Sequence, residues 1–504
     1  MKTTEEYSTQ FDQYLEFRKD NALINDLTLV VLDGLAMDRV NRNAYKVTIE
    51  KILVNLFVAW KNNKNKVVGF SRGKTFWYTK NPMDNRFYNN PSLGFATVTK
   101  SLDVLVSKGW IDKTTEGYYD RQENNGRTTR YKASKRLSRA FVEHGLTLAV
   151  VRHEDVKKGV ILRGKKPKKT PKNLRPRGKN IGYKSNKKII QMQKNLEVIN
   201  WGLERAHIDL FITRDEEKQL NRRLTKKAQR EAGNIREIQY QDKSLQRIFN
   251  VDFEHGGRFY GGFWQQIPSE YRHRLTIHNE LTGELDYSQI HPTILYNKIG
   301  QPMVDELHRP IDPYSFDYEN RKSNKKVFNT MLNSKNFNEC EWACSHNDDF
   351  VLPKKYETWK DFLNHIQTFH QSISDYFFTG YGLKLQRLDS EICETVLMEM
   401  FSVGKIVLPV HDSFVTAWYD YHSLAQCMNK ASIKHLGFQL WNKPAIQMMG
   451  EMGDKPLKLD PTTITTNTDY FKRREEFYQA VDVEDPHGDT EIDEYPFGDL
   501  DGYH

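Results

Sequence analysis

"GELDYSQIHPTILYNKIG", residues 283–300, sets a carboxylate, Asp286, at the end of a short apolar run, and a helix-like apolar run begins just beyond it. A strand that reads as buried and ends on an acid suits one purpose in particular, the presentation of a metal-binding carboxylate at the edge of a sheet. A lone "DYS" is far more often a strand-end turn, so the reading requires a second carboxylate elsewhere in the chain. One lies 126 residues further on, in "IVLPVHDSFVT" (406–416), where apolar, β-branched residues flank His411-Asp412-Ser413. Two short strands meeting there make a hairpin with Asp412 at its tip. Ahead of it, "DSEICETVLMEMF" (389–401) has Ile392, Val396, Leu397 and Met400 at helical spacing, facing inward.

Two distant acids of this kind share a use. A pair of Mg²⁺ ions roughly 4 Å apart is bridged by carboxylates from neighbouring strands, one ion activating a hydroxyl and the other steadying a leaving pyrophosphate. Mg²⁺ takes few protein ligands and fills its shell with water and phosphate, so two aspartates suffice. Between the acids lies "DPYSFDYENRKSNKKVFNTMLNS" (312–334), with Arg321 and Lys325 four apart and so on one helix face. Such a pair of cations can grip nucleotide phosphates. Upstream, "HGGRFYGGFWQQIP" (255–268) sets Arg258 in a glycine frame that would let backbone approach a sugar-phosphate chain.

These four stretches, in this order, resemble the palm and fingers of the family A DNA polymerases and the phage-type single-subunit RNA polymerases. "LDYSQI" is similar to the first catalytic motif of family A, Asp-Tyr-Ser-Gln-Ile-Glu, and "VHDSF" to the second, His-Asp-Glu in the DNA enzymes and His-Asp-Ser in the RNA enzymes. "GGRFY" resembles the Gly-Arg element ahead of the palm, and "RKSNKK" the start of the fingers helix. The resemblance covers residues 250–420. It implies a template-dependent nucleotidyltransferase in which Asp286 and Asp412 hold two Mg²⁺ (or Mn²⁺), with the Tyr287 carbonyl as a further ligand. It also implies that Arg321 and Lys325 neutralise the phosphates of a nucleoside triphosphate, that His411 meets the primer end, and that Arg258 meets the nucleic-acid backbone. His291 stands where family A has the Glu that helps exclude a 2′-hydroxyl, and could act as the gate in its place. The Tyr-Gly that closes the family's fingers helix is missing, with "NTMLNSKN" there instead, and no three-carboxylate exonuclease set appears upstream, so proofreading is not expected. "DYSQI" leans to DNA and "HDSF" to RNA as product; a DNA polymerase is the reading chosen, with an RNA polymerase or primer-making enzyme as runner-up. A palm without catalysis inside a DNA-binding regulator or replication initiator is the alternative of another class. A two-metal nuclease fits less well, because it would draw on three or more clustered acids.

The rest of the chain agrees with a polyanionic partner. Lys and Arg total 75 against 66 Asp and Glu, a net +9, yet the acidic charge is concentrated at 482–501, so the body is more basic than that balance suggests. Residues 44–60 have helical periodicity, and 91–111 form an amphipathic helix starting near Ser92, stepping through Phe95, Val98, Leu102 and Leu105 and ending at Lys108-Gly109. "WIDKTTEGYYD" and "TTRYKAS" then pair as a hairpin with a basic tip. Helix, helix and hairpin resemble a winged helix-turn-helix, in which Lys100, Arg127 and Arg130 would contact DNA. The expected architecture is α+β: a polymerase right hand, with a palm, small fingers and a helical thumb, plus an N-terminal winged helix domain. The expected divisions are a polar segment (1–30), the winged helix-turn-helix (31–150), a basic linker (151–186), a helical thumb-like region (187–250), palm and fingers (251–455) and an acidic tail without a packed fold (456–504). Such a tail could compete with nucleic acid or dock a basic partner. Four cysteines in 504 residues argue for a reducing compartment. Cys340, Cys344 and His346 resemble half of a zinc site with no second pair to complete it. No stretch approaches the ~20 apolar residues of a membrane span and the N-terminus has no secretory core, so a cytoplasmic protein without membrane contact is expected, its partners a template-primer DNA duplex and nucleoside triphosphates.

Overall fold

The computed structural model describes residues 8–19, 21–36, 42–77, 85–120, 125–154, 159–165, 178–232, 237–316, 321–347, 350–444 and 468–481. They form a mixed α/β protein with two large cores.

The first core gathers around a helix that is apolar on nearly every side. Strand β1 (Ser8–Gln10), helix α1 (Ala22–Gly34), helix α2 (Arg42–Asn62), strand β2 (Val67–Phe70), helix α3 (Phe95–Ser107), strands β3 (Ile111–Thr115) and β4 (Thr129–Ala133), and helix α4 (Lys135–Glu143) surround it. The sheet order is β1-β2-β4-β3. Helix α2 buries residues all round its circumference, including Ile49, Leu53 and Phe57, as a central helix must. Helix α3 starts later than the sequence suggests. The Asn90 side chain accepts from the Ser92 N–H at 2.9 Å, a local turn that occupies Ser92, and Gly94 takes the N-cap. Gly109, at φ 71°, ends it as expected. Strands β3 and β4 form the predicted hairpin, extended by a second pairing of Tyr118–Asp120 with Asn125–Arg127. The expectation of a merely polar N-terminal segment is corrected: Leu15, Phe17, Leu23, Ile24 and Leu27 belong to this core. Their apolar periodicity sits among charged neighbours that dilute it.

The second core carries the sheet of interest. Its elements are β5 (Val160–Arg163), β6 (Asn180–Ile181), α5 (Lys187–Arg205), β7 (Ile208–Leu210), β8 (Gln246–Asn250), β9 (Asp252–Tyr260), β10 (Leu275–Ile277), β11 (Glu280–Tyr287), α6 (Ile290–Lys298), α7 (Arg321–Asn333), α8 (Gly382–Ser402), β12 (Val407–Val410), β13 (Ser413–Ala417), α9 (Tyr421–Leu436), β14 (Asn442–Pro444) and α10 (Thr468–Ala480). One sheet runs β6-β5-β8-β9; the other runs β7-β10-β11-β13-β12, with β14 also on β11. Helix α8 is the spine, and Ile392, Val396, Leu397 and Met400 are all fully buried on it, as their spacing predicts. Two further expectations are corrected. "VILR" in the basic stretch is no linker but strand β5, with Val160 fully buried, because three apolar residues in a row outweigh the surrounding lysines. Residues 187–250 are not all helix, since β7 and β8 lie within them.

The expected unpacked tail also contains structure. Helix α10 docks on the second core through Arg473, whose guanidinium donates twice to Asp209 at 2.8 Å, and through Tyr470, whose hydroxyl meets Thr276 and Asn279. The acidic run 482–501 and the basic residues 166–177 lie outside the described residues. Cys340 and Cys344 are buried on the helix Phe337–Ser345, while His346 stacks on Trp342 at 4.9 Å. Among the described residues no helix is long and apolar enough to cross a membrane.

Candidate active site

Strand β11 alternates as a strand with two different faces must. Leu285 and Tyr287 turn toward the helices; the Tyr287 hydroxyl donates to the Met428 carbonyl at 2.5 Å and its ring meets Phe414 edge-on. Gly283 lies on that side too, where a Cβ would come within 2.8 Å of the Tyr421 ring. Glu284 and Asp286 therefore share the opposite face. Glu284 Oε1 meets the Arg272 guanidinium at 2.8 Å and accepts from the Ser413 hydroxyl at 2.5 Å. Among the described residues Asp286 has no such partner.

Register brings the second acid to it. Strands β12 and β13 are joined by only two residues, His411 and Asp412, with Val410 paired to Ser413. His411 adopts φ 64°, the left-handed conformation that such turns demand at their first central position and that glycine usually supplies. On β11, Asp286 pairs directly with Ser413, and the Tyr287 N–H donates to the Asp412 carbonyl at 3.1 Å. The two acids are thus one residue apart across neighbouring strands, where paired Cα atoms lie about 4.5–5.5 Å from each other. Their charges feel one another. The Asp286 carboxyl is pushed up to about 7, first by burial and next by Asp412, with Lys325 and Lys443 pulling the other way.

The cations arrange themselves in two groups. Arg321 opens helix α7 and is held by Asp312, with Nη2 to Oδ1 at 3.1 Å, while Gln289 reaches the same carboxylate. Lys325, one turn along, is exposed. Arg258, by contrast, is enclosed. Its side chain is 16% exposed and ion-paired with Asp389 of helix α8, itself 2% exposed, which also accepts from His291 Nε2 at 3.0 Å. Arg258, expected to meet the nucleic-acid backbone, has its charge neutralised by Asp389 in this structure. The glycines beside it serve packing instead: Gly257, at φ +90°, has the Phe249 ring and the Ser390 hydroxyl within 2.9 Å of where a Cβ would stand. His411 is exposed at the hairpin tip, its ring 5.7 Å from Tyr260. Lys100, Arg127 and Arg130 all sit on elements that surround the first core. Lys100 is exposed on α3, Arg127 lies 5.2 Å over the Tyr118 ring, and Arg130 pairs with Gly69 in the sheet.

Three residues here escaped the sequence reading. Asp389 carried a signal, an acid on the buried stripe Leu385, Asp389, Ile392, Val396. Asp312 and Lys443 carried none, since both depend on which distant segments meet.

The donors suit a hard divalent cation. Two carboxylates face one edge, and the carboxyl of Asp286 is raised first by burial and next by Asp412; a divalent ion would favour its charged form. Among the described residues no group of three or more His, Cys, Asp or Glu is arranged as a metal cluster. Two suffice for Mg²⁺ when water and phosphate oxygens complete the shell.

The fold and site define a mixed α/β protein with a two-aspartate sheet edge flanked by cations. No protein-family model and no curated protein matches the chain. Among solved structures it is similar to one described as the POL domain of Pol1 from M. smegmatis in complex with DNA primer-template and dNTP, at 13% identity and a TM-score of 0.27. The match spans 51% of this chain and 51%, about half, of that one.

Proposed function

We propose that this protein is a template-dependent nucleotidyltransferase, a DNA polymerase without proofreading. The observation that carries the reading is the meeting of Asp286 and Asp412 across β11 and β13, with the charge of Lys325 acting on Asp286 from helix α7. Asp286 and Asp412, with the Tyr287 carbonyl, would hold Mg²⁺ or Mn²⁺. Bound there, such ions lower the pKa of an attacking hydroxyl and offset charge on a leaving pyrophosphate. The chain's own groups do the rest. Lys325 and Arg321 receive the triphosphate of the incoming nucleotide, Arg321 exchanging Asp312 for phosphate. His411 meets the primer terminus. His291, fixed by Asp389, borders the sugar. The primer 3′-hydroxyl gives its proton to solvent and its oxygen bonds to the α-phosphorus as the bond from that phosphorus to the bridging oxygen breaks, releasing pyrophosphate; orientation and charge supply most of the acceleration. Lys100 on α3 and Arg127 and Arg130 in the hairpin would hold duplex DNA by its phosphates, in the manner of a winged helix.

Primer extension on a DNA template, with dNTPs or rNTPs and Mg²⁺, tests this. The wild type should extend with dNTPs faster than with rNTPs, and Asp412→Ala should lower the rate by at least about 10³-fold. No incorporation from either nucleotide set, alongside tight duplex binding, would leave the regulator reading in its place.

A further inference from the structure

Strand β11 has two edges, and the second also carries a charge to Asp286. Strand β13 lies on one edge; β14 lies on the other, with Leu285 paired to Pro444, Asp286 to Lys443 and Tyr287 to Asn442. Directly opposed residues on antiparallel strands project from the same face. Lys443 therefore rises beside Asp286, on the face of the two carboxylates. The strand is held there from both sides: the Ser288 N–H donates to the Trp441 carbonyl at 2.8 Å, and the Asn442 side-chain amide donates to the side-chain oxygen of Asn429 on helix α9 at 2.8 Å.

An ammonium in that position has two uses. It can serve as counter-ion to the carboxylates, or it can wait for an anion that the carboxylates and their metal bring in. A counter-ion would lie within ion-pair distance of its acid. Lys443 is exposed, and among the described residues it forms no ion pair with a carboxylate, although its charge reaches Asp286. Lys325 has the same standing, exposed and unpaired among the described residues. Arg321 and Arg258, in contrast, are both engaged by aspartates.

We propose that Lys443 is a phosphate-contacting residue of this site, meeting the triphosphate of the bound nucleotide from the β14 edge of Asp286. The inference rests on the nucleotidyltransferase reading and adds a contact outside the four motif stretches.

Equilibrium binding of dTTP in Ca²⁺, without primer, tests it in the full chain. Lys443→Gln should weaken dTTP by about fivefold to tenfold, as loss of one charge-assisted contact does. Lys443→Arg should restore binding to within about twofold, since the charge returns. Mn²⁺ binding without nucleotide should move the opposite way, tightening in Lys443→Gln by about twofold to threefold as a cation leaves the carboxylates' surroundings. A purely structural role for the lysine would not separate the two ligands in this way. Wild-type binding of dTTP that Lys443→Gln leaves unchanged overturns the role of Lys443 and leaves the nucleotidyltransferase reading standing. Failure of the wild type to bind dTTP overturns both.

Discussion

Replacing Asp286 by Asn should make the metal-free protein more stable at pH 8 while abolishing catalysis. In the native state burial and Asp412 lift this carboxyl from 3.8 to about 7. The folded chain therefore holds the proton more tightly than the unfolded chain. Between pH 4 and 7 it binds more protons, and stability falls as pH rises through that window, levelling above it. Three units at about 1.4 kcal/mol each set a ceiling near 4 kcal/mol; partial exposure brings the expected loss to about 2–4 kcal/mol. Asn keeps the shape and carries no charge, so the variant should escape the loss. Urea unfolding of chelator-treated wild type and Asp286→Asn at pH 5 and pH 8 measures it. The gap at pH 5 should be a little over a third of the gap at pH 8, and Mg²⁺ should narrow it by stabilising only the wild type. Parallel pH profiles for the two proteins would refute the claim that Asp286 is held against a neighbouring acid.

Arg473→Met should cost about 3–5 kcal/mol, because it leaves Asp209 charged and buried without its main partner. Burial alone would raise the Asp209 carboxyl, yet Arg473 and His207 hold it at about 2; this contribution is present above pH 4 and lost as pH falls toward 2, which urea titrations across that range would follow. Gly257→Ala should lose about 1–3 kcal/mol by overpacking against Phe249 and Ser390, with added strain from its positive φ, read as a lower melting temperature. Lys100→Ala and Arg127→Ala should each reduce the salt slope of duplex affinity by about 0.9, measured by fluorescence anisotropy.

Local patterns carried much of this architecture, and long-range pairings carried the rest. The stripe of helix α8 and the β3–β4 hairpin are written in consecutive residues, so periodicity and turn chemistry suffice to read them. The two acids were legible because each ends an apolar strand, where an unpaired charge stands out. Their partners were not. Lys443 matters only through the register of a three-residue strand, and nothing near "WNKP" specifies that register. Asp312 is an ordinary turn acid until Arg321 and Gln289 fold onto it. The "VILR" strand was hidden because surrounding lysines dominate any average over the segment, while burial is decided by the three apolar side chains themselves. Glycines 256 and 257 show the converse error. Their flexibility was evident, but whether it admits a ligand or a neighbouring helix depends on what packs there.

Mn²⁺ binding, followed by electron paramagnetic resonance in the wild type and in the single variants Asp286→Asn and Asp412→Asn, bears most directly on the shared site. Saturable binding by the wild type that either substitution removes is the result expected of one centre built from both strands. Saturable binding that survives either substitution unchanged would contradict it.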